Sequence, residues 1–143
     1  MRIKTIDGFL IVTLILTCLS CKFVNGISTP AVTTVTYKNV RYVANLVSSS
    51  LWGNPIITYQ SANGATTQLQ QMNLDSTLQL RVGLTATLKA SCAGSYSPAQ
   101  LSASAAISLK MYVNDSLKAS ANDFQTDSLT TVNASATCSY RIK

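Results

Sequence analysis

The chain of 143 residues contains no histidine. Glutamate is absent as well, so five aspartates are its whole acidic complement. Without histidine a Ser-His-Asp triad cannot be assembled. A carboxylate pair for acid–base work would have to come from Asp75, Asp115, Asp123 and Asp127, and all four fall in or near predicted turns and loops, where Asp is favoured structurally. The sequence therefore predicts a protein that is not an enzyme and carries no cofactor. Cysteine is also scarce. Beyond the N-terminal segment only Cys92 and Cys138 remain, with no CxxC or Cys/His cluster between them, and so no zinc site is indicated. Charge is thin too: residues 27–143 hold eight basic side chains against four aspartates, scattered without a run. Nucleic-acid binding normally shows a clustered basic face, and none is present.

Long apolar runs are confined to the N-terminus. Arg2 and Lys4 precede an apolar stretch over 9–19, too short to span a bilayer comfortably and matching the basic and apolar regions of a secretory signal. The expected organisation is a signal peptide over 1–26 and a single all-β domain over 27–143. Cleavage falls before Ile27, with cleavage after Ser20 as the alternative. The mature chain is expected to be secreted and extracellular, without a membrane span. A periplasmic protein or one lipid-anchored through Cys21 is the lesser reading, since the residues before that cysteine fit a lipobox poorly.

What is present is alternation. Over 78–92, Leu78, Leu80, Val82, Leu84, Ala86, Leu88, Ala90 and Cys92 share one phase, and Gln79, Arg81, Gly83, Thr85, Thr87, Lys89 and Ser91 the other. Period two is the signature of a half-buried strand. The run would extend about 50 Å at ~3.3 Å per residue, so a bend or bulge is expected near Gly83, carrying the chain from one sheet to another. Ala103 to Val113 and Val132 to Ile142 alternate in the same way. Residues 32–37 are β-rich. Residues 40–51 support both a strand phase (Val40, Tyr42, Ala44, Leu46) and a helical stripe (Val40, Val43, Val47, Leu51), with β-branched neighbours favouring the strand. Asn63-Gly64 is the favoured dipeptide of a type I′ hairpin, Asn114-Asp115 marks another turn, and 122–127 reads as a polar loop. The fold expected is an antiparallel β-sandwich or barrel of about seven or eight strands.

Cys92 and Cys138 lie in the inward phase of their strands, and an even pair in an oxidising compartment reads as one internal disulfide, worth roughly 4 kcal/mol on the chain-entropy account. Asn114-Asp115-Ser116 and Asn133-Ala134-Ser135 are glycosylation sequons, and both are expected to be accessible. Asn122, Asp123 and Asp127 offer oxygens for calcium, but the spacing matches no EF-hand loop and turn chemistry is the simpler explanation. Trp52, the single tryptophan, sits in a Gly-Asn-Pro turn as either a plug over a sheet end or an aromatic ligand platform.

Leu88-Lys89-Ala90-Ser91-Cys92, Ile107-Ser108-Leu109, Asn114-Asp115-Ser116-Leu117, Asn122-Asp123-Phe124 and Ala134-Ser135-Ala136-Thr137-Cys138 together resemble the cyanovirin-N homology lectins. Those show an L-x-A-x-C strand, an I-x-L strand, an N-x-x-G-x-L turn, an N-F segment and a second L-x-A-x-C strand. The likeness covers roughly the C-terminal half. It departs where Ser116 replaces the turn glycine, where Ala134 replaces a leucine, and where the upstream cysteine of each repeat is missing. The resemblance implies glycan binding, with Asn114, Asp115 and Asn122 as the contacts.

Two functions follow as expectations. The first is a secreted, non-enzymatic binding module for glycans or a cell surface. The second is a structural or adhesive subunit, fimbrial or coat-like, that self-associates through strand edges. A pore-forming hairpin is a third, lesser reading.

Overall fold

The computed structural model describes residues 34–49, 53–96, 102–128 and 130–143. The expected signal peptide, Cys21 and Trp52 lie outside them. Eight strands form: β1 (Tyr37–Ser48), β2 (Ile56–Gln60), β3 (Thr66–Leu69), β4 (Asn73–Arg81), β5 (Thr85–Gly94), β6 (Ala103–Val113), β7 (Ser116–Asp127) and β8 (Val132–Arg141). They pair as two four-stranded sheets, β4-β1-β6-β7 and β3-β2-β5-β8, every pairing antiparallel. The architecture is a sandwich. No helix among the described residues is long and apolar enough to cross a membrane.

The alternation of 78–92 maps onto the crossing between the sheets. Leu80 ends the inward row of β4 in the first sheet, and Ala86, Leu88, Ala90 and Cys92 form that of β5 in the second. Between them the chain turns at Gly83, whose φ of 96° is open to glycine at little cost. The same turn ties down both ends of the domain. Val82 N donates to Thr36 O at 2.9 Å, Gly83 N donates to Ile142 O at 2.9 Å, and Ile142 N donates to Leu84 O at 2.8 Å.

Residues 37–48 form a strand, and the burial explains why the helical stripe loses. Val40, Tyr42, Ala44 and Leu46 are buried, whereas Val47 is 58% exposed. The strand phase puts all its larger apolar groups inward except Tyr37, Val43 and Val47; the helical phase would have left Tyr42 and Leu46 off the apolar face. Of the β-rich 32–37 segment, the described residues 34–36 precede β1 and Tyr37 opens it. The segment 122–127 is not a loop but the second half of β7, because each of its residues up to Asp127 finds a partner on β6.

Two turns exchange roles relative to the sequence reading. At Asn63-Gly64 only Gly64 has positive φ, and Gly64 N donates to Ser61 O while Ser61 N donates to Ala65 O. That is a type I turn closed by a glycine bulge rather than type I′. The I′ pair is Asn114-Asp115, with φ of 46° and 62°, joining Val113 directly to Ser116.

The core is apolar throughout, with no buried polar or charged residue in the described chain apart from the hydroxyl carried by Tyr42. Tyr42 of the first sheet packs on Tyr59 of the second, ring centroids 5.3 Å apart. The free edges of the two sheets also meet: the Asp123 carboxylate on β7 accepts from Ser135 N on β8 at 2.7 Å and from Gln125 Nε2 at 2.8 Å. Asp123 stands opposite inward-facing Ile107, and an inward-pointing charge is one way to blunt an edge. The bond from the Ser135 amide is the main reason its carboxyl stays charged to lower pH than usual.

The expected disulfide is not formed. Cys92 and Cys138 are both free and buried. Both do face inward on neighbouring strands, but the β5–β8 register sets Cys92 opposite Ala134 and Cys138 opposite Leu88. The two lie four residues apart along the strands, about 13 Å, against the ~7 Å limit between Cα atoms of a bridge. Cys92 Sγ instead lies 4.0 Å from the carbonyl oxygens of Val47 and Ala106 on the facing sheet.

Burial raises the pKa of both thiols and of the Tyr42 phenol, whose hydroxyl has no hydrogen-bond partner. In the unfolded chain these groups titrate near ~8.5 and ~10. The unfolded state therefore loses protons first as pH rises, and stability must fall. The contribution is complete below the unfolded thiol pKa and is lost as pH climbs toward the folded values. Urea midpoints measured from pH 7.5 to 10.5 should decline, and the decline should shrink in Tyr42→Phe and Cys138→Ala; a flat or rising midpoint would contradict this burial.

Candidate ligand-binding face

The two outward faces differ in kind. On the second sheet the outward positions are mostly small polar groups: Thr58 and Gln60 of β2, Thr87 and Lys89 of β5, Ser135 and Thr137 of β8. A shallow hollow of about 360 Å³ runs between Thr58, Gln60, Thr66, Thr85, Thr87 and Lys89. Such a face is what solvated strands ordinarily present.

The first sheet presents something else. Four of the six large apolar side chains exposed among the described residues belong to its outward positions: Tyr37, Val47, Leu117 and Phe124, the last 66% exposed. Register turns them into rows. Val47 of β1 stands opposite Ala106 of β6, and Ala106 opposite Phe124 of β7, an apolar strip ending in an aromatic ring. The adjacent row is Asn73, Asn45, Ser108 and Asn122, one from each strand of the sheet. With strands ~4.8 Å apart, that row is about 14 Å long. The three asparagines are exposed, and each amide offers donors and an acceptor.

The rest of the face is fixed by charge. Arg41 and Asp75 form a two-pronged ion pair, Nε to Oδ1 at 2.7 Å and Nη2 to Oδ2 at 2.5 Å. The bond to Asp75 raises the Arg41 pKa, and that to Arg41 lowers the Asp75 pKa. The pair is solvent-exposed, each side chain about half accessible, so its value lies in orientation more than stability. The Arg41 guanidinium also lies 5.9 Å from the centre of the Tyr112 ring.

The residues singled out in the sequence divide. Asn122 is in the amide row. Asn114 and Asp115 form the β6–β7 turn, eight and seven residues away along the same strand, so they do not join Asn122 in one site. Asn114 is held there: its N donates to Asn39 O at 2.9 Å and its Oδ1 accepts from Asn39 N at 3.2 Å. Asn133 is exposed on edge strand β8, beside a shallow hollow that includes Gly53, Asn54 and Ser135. Both sequon asparagines are thus accessible. The sequence does not single out Asn45, Asn73, Ser108 or Phe124 as members of one surface. Their outward phase was visible in the sequence, but their neighbourhood exists only through pairing. Scanned against known protein families and curated proteins, the chain finds no match in either.

Proposed function

We propose that the chain is a secreted, non-enzymatic module that binds glycans, and that the outward face of the β4-β1-β6-β7 sheet is its binding face. The observation that carries this reading is the pair of adjacent rows, Asn73–Asn45–Ser108–Asn122 beside Val47–Ala106–Phe124. A sugar ring has hydroxyls around its rim and C–H groups on its faces. It is met by amides that donate and accept together with an exposed apolar or aromatic surface, a few polar groups set around an apolar base. The resemblance of the C-terminal half to glycan-binding lectins supports the same class, though the turn residues Asn114 and Asp115 stand apart from this face.

The test is a glycan array probed with the mature chain and with Asn122→Ala/Phe124→Ala. Binding should fall at least about tenfold in the double variant, and Thr58→Ala/Thr87→Ala on the opposite sheet should leave it unchanged. An array without hits, or equal binding by both double variants, would remove the reading.

Assembly through strand edges is the second reading. What favours it is β7, an edge strand of 12 residues bearing the exposed Leu117 and Phe124. Long edges template strand addition, although the Asp123–Ser135 contact and a bulge at Lys118 both interrupt this one. Size-exclusion chromatography separates the two, a monomer favouring the module and SDS-resistant oligomers the subunit.

A further inference from the structure

The end of the sandwich near the β6–β7 turn holds a hollow of about 310 Å³ lined by Lys38, Asn114, Ser116, Lys118, Tyr140 and Lys143. Three lysines from three separate parts of the chain line it. Lys38 and Tyr140 lie in the inward phases of β1 and β8, Lys38 two residues before buried Val40 and Tyr140 between buried Cys138 and Ile142, so the hollow opens between the sheets rather than on either outward face. Lys118 arrives by a local irregularity. Met111 pairs with Ala119 and Tyr112 with Leu117, leaving Lys118 as the extra residue of a β-bulge. Bulges re-aim a side chain out of the regular alternation.

No carboxylate side chain lines this hollow. Asp75 is committed to Arg41, Asp123 to Ser135 and Gln125, and Asp127 sits at the opposite end of β7, beside Ala103; Asp115, in the turn between Asn114 and Ser116, adjoins the hollow without lining it and acts electrostatically on Arg41. The three lysines make no ion pair among the described residues. Three cationic side chains around one hollow, with no carboxylate side chain lining it, favour an anionic ligand. The other lining groups are a hydroxyl, an amide, a phenol and the Val113 side chain, which suit the hydroxyls and C–H groups of a sugar. Its volume is at the lower end of the ~300–1,000 Å³ typical of small-ligand sites.

We infer that this hollow is a second binding site, for a saccharide carrying sulfate or carboxylate groups. The inference is independent of the outward face proposed above, because none of its residues belongs to the two rows there. Its test is isothermal titration with a heparin-derived hexasaccharide and its desulfated, re-acetylated counterpart. The variants are Lys38→Gln/Lys118→Gln, which keeps much of each stem, Lys89→Gln/Lys110→Gln as an equal charge change elsewhere, and Asn122→Ala/Phe124→Ala on the outward face. The sulfated ligand should bind at least about tenfold more tightly than the desulfated one, and Lys38→Gln/Lys118→Gln should lose about tenfold. The other two variants should bind it as the parent does, with thermal unfolding confirming that each is folded. Equal loss in Lys89→Gln/Lys110→Gln would mean diffuse charge and overturn the site. So would loss only in Asn122→Ala/Phe124→Ala, equal affinity for the two hexasaccharides, or binding to phosphatidylserine vesicles without binding to the sulfated ligand.

Discussion

Gly94→Ala should destabilise the domain by about 3 kcal/mol, near the upper end of what overpacking costs. Gly94 ends β5, and a Cβ there would run into the carbonyl oxygen, carbonyl carbon and amide nitrogen of Ser104 at the start of β6. These are backbone atoms on the facing sheet, and they are not free to retreat. Ser104 O accepts from Ser49 N at 2.9 Å, and Ser104 N donates to Ser49 Oγ at 2.8 Å. One methyl group must therefore either break those bonds or part the sheets at this end. Gly83→Ala is the informative comparison. Nothing lies within 4 Å of its added Cβ, and only its φ of 96° opposes a side chain, so the cost should be about 1–2 kcal/mol. Urea unfolding of both variants tests the contrast. If Gly94→Ala proved no worse than Gly83→Ala, the close approach of the sheets would be wrong.

Leu88→Ala should be comparably severe, about 2–5 kcal/mol. Leu88 is fully buried and stands in an interior strand, with Tyr59 opposite it on one side and Cys138 on the other. Tyr59 is committed to the Tyr42 ring and the Cys138 side chain is small, so neither refills a vacated isobutyl group, and the surrounding ladders hold the backbone in place, so a cavity remains. Leu117→Ala removes the same atoms from a site 52% exposed and should change stability by no more than about 0.5 kcal/mol. Thermal unfolding resolves the difference easily. A loss below about 1 kcal/mol at Leu88 would show that the second sheet does not pack as described.

Alternation in the sequence carried the fold a long way. It identified the inward row of 78–92 and the change of sheet at Gly83, because period two reports a face directly. It also carried an inward direction for Cys92 and Cys138. Alternation says nothing about position along a strand, however, and the proposed bridge failed on that ground: the β5–β8 register, set by strand and loop lengths, displaced the thiols by four residues. The amide and apolar rows were hidden for the same reason. Asn45, Asn73, Ser108 and Asn122 are distant in sequence, and only the pairing of four strands aligns them. At Asn63-Gly64 the dipeptide suited two turn types, and the five residues between Gln60 and Thr66 selected the bulged one.

The three hydrogen bonds at the β4–β5 turn make the described domain nearly a closed ring. Thr36 and Ile142, just outside the first and last strands, are bonded to consecutive residues, Val82 and Gly83. Thr36 and Ile142 thus lie at one pole of the described domain, the pole that also bears the lysine hollow. The Gly94–Ser104 pole, at the other end of the strands, carries neither terminus. A substitution that disturbs Val82 or Gly83 is therefore felt at both ends of the described domain at once.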